Sequence, residues 1–244
     1  MNVKSQYMGW MNMLILSVES SAKSASVCLY DKKIVAEYYI NTEFTHSQTL
    51  TVLIESMLKV TGINIKDVDC FAVNNGPGSF TGVRIGVSAV KGMAYALDKP
   101  CVAISTLESM AYNFISDNAL ICACMDARRN QLYNALFDVN SGQVNRIFED
   151  RAISINDLYN EISKIKNKDI IIVGDGAELF FDSIENTNKN IILAPDNLRF
   201  QRASSTAMCA YRKIISDQVL NAKTLLPSYL RLSQAERERN KNKS

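Results

Sequence analysis

Between Asp69 and Leu97 the chain reads DCFAVNNGPGSFTGVRIGVSAVKGMAYAL, and few folds can accommodate that string. Phe71, Ala72 and Val73 close a short apolar run suited to a buried strand. Asn74-Asn75-Gly76-Pro77-Gly78-Ser79 is a dense cluster of turn formers. From Thr81 the spacing turns helical and predicts a helix to about Leu97, just ahead of Pro100. A buried strand delivered through a tight turn into a helix is an α/β unit.

The helix carries Gly82 and Gly86 one turn apart, with Val90 and Met93 continuing the same face. Glycine inside a helix costs about 1 kcal/mol relative to alanine, so two on one face imply close approach of another backbone. The expectation is a helix pressed against a second helix, in this chain or in a partner. The preceding segment offers a matching face, Leu50, Leu53, Ile54 and Met57 at helical spacing, and the two faces together are expected to form a helical docking surface.

The turn admits two readings. Successive amides of a glycine-rich turn ahead of a helix can cradle an anion, which makes Gly76, Gly78 and Ser79 phosphate-loop candidates. A P-loop would end in Lys-Ser or Lys-Thr, whereas Val83-Arg84 follows Gly82 here, so a plain strand-to-helix turn stays open. Gly174-Asp175-Gly176-Ala177 is a second short loop of this kind, adding Gly174 and Gly176 to the candidates.

Around this unit the elements repeat. Strands are predicted at 14–18, 25–30 and 34–40, then a helix capped by Thr45 or Ser47 and stopped by Gly62, the unit above, a strand at 101–104, and a helix from Ser105 to about Ile115. Strands follow at 119–126, 131–139 and 143–149, with Asn140-Ser141-Gly142 as a hairpin turn. A helix after Ser154 carries Leu158, Ile162 and Ile165. A strand at 170–173, a short helix through Leu179 and Phe180, a strand at 191–193 and a helix capped by Ser204 or Ser205 complete the second half. Three hairpin-linked strands followed by αβαβα, twice over, predict an α/β fold of two tandem ribonuclease-H-like lobes, the actin–hexokinase–Hsp70 (ASKHA) plan. The expected divisions are a flexible extension at 1–12, lobes at 13–115 and 116–218, and a closing segment at 219–244. In that segment Leu225–Leu232 should dock on the body and a charged tail should follow from Gln234.

Composition narrows the chemistry. Lys plus Arg number 27 against 25 acids, a net charge of +2 that gives no broad electrostatic footprint for nucleic acid. The single histidine, His46, excludes a metal site built on paired imidazoles within one chain. None of the 6 cysteines forms a C-x-x-C pair, and most sit in apolar strands, the pattern of buried reduced thiols in a cytoplasmic protein. No run reaches the ~18 apolar residues of a membrane helix. At the first hairpin, Glu19-Ser20-Ser21-Ala22 stands where an ASKHA nucleotide-binding protein carries an Asp-x-Gly-Thr-like phosphate loop, without the glycine. Asp126-Ala127-Arg128-Arg129 reads as a charged hairpin tip or as an anion or RNA contact.

The motifs Ile15-Leu16-Ser17-Val18-Glu19-Ser20-Ser21, His46-Ser47, Asn75-Gly76-Pro77-Gly78-Ser79-Phe80-Thr81-Gly82-Val83-Arg84-Ile85-Gly86, Met125-Asp126-Ala127-Arg128-Arg129, Gly174-Asp175-Gly176-Ala177 and Pro227-Ser228-Tyr229-Leu230-Arg231 resemble the bacterial TsaB (YeaZ) family over nearly all of the chain from Met13. The resemblance implies a non-catalytic scaffold subunit for N6-threonylcarbamoyladenosine formation at position 37 of tRNAs that read codons beginning with adenine. It implies TsaD and TsaE as partners, tRNA reached mainly through the complex, a possible homodimer through the same helical face, and no catalytic residue, metal or cofactor of its own. The related catalytic subunit uses a His-x-x-x-His metal motif, which His46 alone cannot supply. The alternative is a nucleotide-dependent phosphotransferase of the ASKHA fold.

Overall fold

The structure, a computed structural model, describes residues 13–42, 46–184 and 188–231. The expectations for residues 1–12, for Thr45 as a cap and for the tail from Gln234 lie outside the described residues.

The first half supplies strands β1 (Ile15–Glu19), β2 (Ala25–Asp31), β3 (Lys33–Ile40), β4 (Cys70–Gly76) and β5 (Cys101–Ser105), with helices α1 (His46–Thr61), α2 (Phe80–Ala96) and α3 (Thr106–Ala111). The second half supplies β6 (Ala119–Asp126), β7 (Gln131–Asn140), β8 (Gln143–Ser154), β9 (Ile170–Val173) and β10 (Ile191–Leu193). Its helices are α4 (Ile155–Ile162), α5 (Ala177–Asp182), α6 (Asp196–Arg199) and α7 (Ala203–Ile215). The sheets run β3-β2-β1-β4-β5 and β10-β9-β6-β7-β8. In each, hairpins join three antiparallel strands, and the other two run parallel to the first strand of the half. This is the ribonuclease-H-like order, present twice.

Local chemistry explains three of the helix starts. Ser79, Ser105 and Ser154 have non-helical backbone, and each accepts from an amide in the first turn of the helix that follows, those of Gly82, Glu108 and Asp157. Three expectations need correction. β8 runs on to Ser154 rather than stopping at Glu149, because Arg151, Ala152, Ile153 and Ser154 pair with β7 beyond a bulge. α3 ends at Ala111 and tightens into a 3₁₀ turn, Tyr112–Phe114. α7 begins at Ala203, so Ser204 and Ser205 lie inside its first turn; the free amides of Ala203 and Ser204 donate instead to Ser26 Oγ (2.8 Å) and Glu37 Oε1 (2.9 Å) on the other half.

The last helix of each half crosses over. α3, through Leu107, Met110 and Ala111, packs into the core of the second sheet with Ile121, Ala123 and Phe137. α7, through Cys209, Ala210 and Ile214, packs on the first sheet with Ile15, Ala72 and Ile104. The sheets thus separate near residue 116, while their covering helices are exchanged. The six cysteines are free and buried, and burial pushes the thiols of Cys28, Cys70 and Cys209 up.

Candidate functional site

β1 and β4 are parallel neighbours and end side by side, so the loop after Glu19 meets the glycine-rich turn after Asn74. The two loops interlock. A β-carbon on Gly78 would come within 3.0 Å of Ser21 O, one on Gly82 equally close to Ser20 O, and one on Gly86 equally close to Ser20 Oγ. Gly76, at φ +124°, lies against Ser228 O in the same way. Hydrogen bonds complete the fit: Ser79 N donates to Ser21 O (2.6 Å), and Ser20 Oγ donates to Gly82 O (2.9 Å).

This corrects the reading of the glycine strip. The close approach is real, but the closest neighbour is the chain's own Ser20–Ser21 loop, and the neighbouring helix reaches Gly82 only through the His46 ring at the start of α1 (3.1 Å). Val90, Leu50, Ile54 and Met57 are buried in the core of the first lobe, with Met93 and Leu53 packed part-buried against it. The eight residues face inward, and it is the opposite flank of α1 and α2 that meets solvent. There Gly92 differs from Gly82 and Gly86 of the strip, because a β-carbon on it would meet nothing within 4 Å.

The anion-cradle candidates are filled as well. Ser21 occupies the hollow beside Gly78 and Ser79, and Ser228 lies against Gly76. In the second loop, Gly174 (φ +101°) and Gly176 fold against the end of β6. Gly174 N donates to Arg199 O (2.7 Å) and Gly176 N to Cys124 O (3.1 Å). Those amides serve the protein and are not turned to a ligand.

Glu19 ends β1 with no solvent exposure. Its Oε1 accepts from Ser21 N (2.6 Å) and Ser21 Oγ (2.5 Å), and its Oε2 accepts from Asn74 Nδ2. Asn74 Nδ2 also donates to Ser109 Oγ on α3 (2.9 Å), and Thr206 Oγ1 on α7 donates to Asn74 Oδ1 (3.1 Å). Asn74 thereby ties β1, β4 and both exchanged helices together. Burial pushes the Glu19 carboxyl up to about 7 against the opposing pull of the Ser21 and Asn74 hydrogen bonds, and the charge of Asp175 adds to the rise. Asp175 keeps solvent access in the second loop but is walled by protein, which pushes it up to about 6; Gln201 Nε2 donates to it at 3.2 Å.

His46 opens α1, and its Nε2 donates to Ala22 O at 2.6 Å, so the ring braces the Ser20 loop. Asp126 pairs with Arg128 at the hairpin tip (3.1 Å). Among the described residues, no group of three or more His, Cys, Asp or Glu is placed to hold a metal ion, and no helix is long and apolar enough to cross a membrane.

Residue patterning missed the role of the segment after Leu225. Ser228 N donates to Asn75 O (2.7 Å), the Tyr229 ring stacks on Phe80 (4.5 Å between centroids), and Arg231 Nη1 donates to Ala127 O (2.9 Å). Its apolar, aromatic composition signals docking without specifying where.

Comparison with known proteins gives a consistent result. A family model described as TsaD: tRNA N6-adenosine threonylcarbamoyltransferase matches residues 34–239. The tRNA threonylcarbamoyladenosine biosynthesis protein TsaB of Bacillus subtilis is 31% identical over 229 residues, covering 92% of this chain and 96% of that protein. The Escherichia coli protein of the same name is 27% identical over 172 residues, covering 70% and 74%. Among solved structures, YeaZ from Pseudomonas aeruginosa superposes with a TM-score of 0.77 at 23% identity, covering 89% of this chain and all of that one, which speaks for the two-lobed fold. On these grounds the chain belongs to the TsaB family of tRNA threonylcarbamoyladenosine biosynthesis proteins, within the wider group that the TsaD model describes.

Proposed function

We propose that the chain is an accessory, non-catalytic subunit of a tRNA-modifying complex, working with TsaD and TsaE counterparts in forming N6-threonylcarbamoyladenosine at position 37 of tRNAs that read codons beginning with adenine. The observation that carries this reading is the self-filled loop. At the glycine-rich turn, the space beside Gly78 and Gly82 is taken by Ser21 and Ser20, and the Ser79 amide donates to Ser21 O. The same geometry speaks against the phosphotransferase alternative: the Ser20–Ser21 loop, which stands where that class carries its phosphate loop, is bonded to the glycine-rich turn and α2 rather than open to a nucleotide.

Contact with TsaD, or with a second copy of the chain, is assigned to the outward flank of α1 and α2, where Val52, Val60 and Tyr95 are exposed. Gly92 supports this: nothing inside the chain crowds it, so its helical cost has no internal compensation. A partner backbone lying close over it would supply one. The test is gel filtration of the chain mixed with a TsaD counterpart. Gly92→Arg should leave the monomer folded and abolish co-elution; co-elution equal to wild type would remove the flank from the interface.

A further inference from the structure

We propose that residues 225–231 form an interlobe latch, holding the first lobe and the β6–β7 turn of the second in one fixed relation and able to release them together. This inference is independent of the functional reading above and rests on contacts within the chain.

The latch has a root and two grips. At the root, Leu225 is fully buried in the first lobe's core, and Lys91 Nζ on α2 donates to Leu225 O (3.1 Å). The first grip is on the glycine-rich turn. Ser228 N donates to Asn75 O (2.7 Å), Asn75 Nδ2 donates to Leu226 O (3.1 Å), and Arg84 Nε donates to Tyr229 Oη (2.7 Å) while its guanidinium lies 3.8 Å over the Phe80 ring. Gly76 is shaped to this grip, since any side chain there would collide with Ser228 O.

The second grip is on the other lobe. Arg231 donates through Nη1 to Ala127 O and through Nη2 to the Gln131 side chain, the residues on either side of the β6–β7 turn. That turn is strained: Arg128, Arg129 and Asn130 stand at φ +64°, +59° and +57°, three consecutive non-glycine residues in the left-handed region. Such a backbone persists only where its surroundings over-determine it, and Arg231 bonds to both of its ends.

The segment past the root is held mainly by polar and ring contacts. Leu226 is 63% exposed and Tyr229 42% exposed. Little apolar area must be returned to water for the segment to lift away, so the device is reversible, with Leu225 as its pivot. When it lifts, the glycine-rich turn loses its tie to the β6–β7 turn, and the strained turn loses its brace.

The test breaks one grip and reads the other. Tyr229→Ala removes the side-chain part of the first-lobe grip, the Arg84 hydrogen bond and the Phe80 stack, and leaves the bonds of Arg231 to the turn in place; Arg231→Met removes the second-lobe grip and leaves the contacts to the glycine-rich turn in place. Hydrogen exchange on the full chain should show that Tyr229→Ala exposes the amides of Ala127 and Arg128, and that Arg231→Met exposes the amide of Ser228. Spin labels on Glu55→Cys and Glu149→Cys, two exposed positions on opposite lobes in a chain whose native thiols are all buried, should give a wider interlobe distance distribution in both variants. If each variant loosens only its own end and leaves the distribution unchanged, the latch is overturned. Either variant alone is enough to decide, so misfolding of one leaves the other to settle the matter.

Discussion

The carbonyl oxygen of Ser20 occupies the place where a β-carbon on Gly82 would stand. With its counterpart, Ser20 Oγ against Gly86, this relationship explains why α2 tolerates those two glycines in its interior and sets the sign of two substitutions, against which the open position Gly92 serves as the contrast. Gly82→Ala and Gly86→Leu push against the Ser20 loop and should lower stability by about 1–3 kcal/mol, the usual range for overpacking, with leucine at the upper end. Gly92→Ala, in open space, should raise it by about 1 kcal/mol. Urea denaturation midpoints of the three variants measure this directly, and any stability gain in Gly82→Ala would refute the interlock.

The contrast shows what the sequence made legible. Strands and helices follow from short-range apolar spacing, and the caps Ser79, Ser105 and Ser154 each satisfy an amide three residues on, so they are readable locally. The glycine spacing announces a close approach, but its partner Ser20 lies 62 residues away, so the direction of the strip is not written in the helix itself. The start of α7 escaped for the same reason, since its amides are met by Ser26 and Glu37 from the other half. The exchange of α3 and α7 between sheets likewise depends on how the halves pack, not on either helix's own pattern.

Asn74 is the hub of the buried polar network at the ends of β1 and β4. Asn74→Ala would leave Glu19 Oε2 without its donor inside the protein and would also withdraw a partner from Ser109 and Thr206. An orphaned buried polar group costs about 1–3 kcal/mol, more when charged, so a loss near about 3 kcal/mol is expected. Thr206→Val, which removes only the outer member, should cost less, and thermal unfolding of both variants checks the order.

Glu19 should make stability fall as pH rises. Its native carboxyl titrates at about 7 against 4.5 for the ordinary group. Between those values the native state holds more protons than the unfolded chain, so the slope of unfolding free energy with pH is negative. The penalty is absent below 4.5 and complete above 7, amounting to about 3 kcal/mol at 1.36 kcal/mol per unit. Glu19→Gln keeps an acceptor for Ser21 and should flatten that part of the profile, measured as denaturant midpoints from about pH 4 to 8. An unchanged slope would place the titration elsewhere.

The proposed division of labour, docking in this chain and group transfer in a partner, is tested most directly by mass spectrometry of nucleosides from tRNA incubated with threonylcarbamoyl-adenylate. The chain alone should leave the adenosine unmodified, the chain with TsaD and TsaE counterparts should yield N6-threonylcarbamoyladenosine, and folded Gly92→Arg in that mixture should not. Modification by the chain alone, or full modification with Gly92→Arg, would contradict the account.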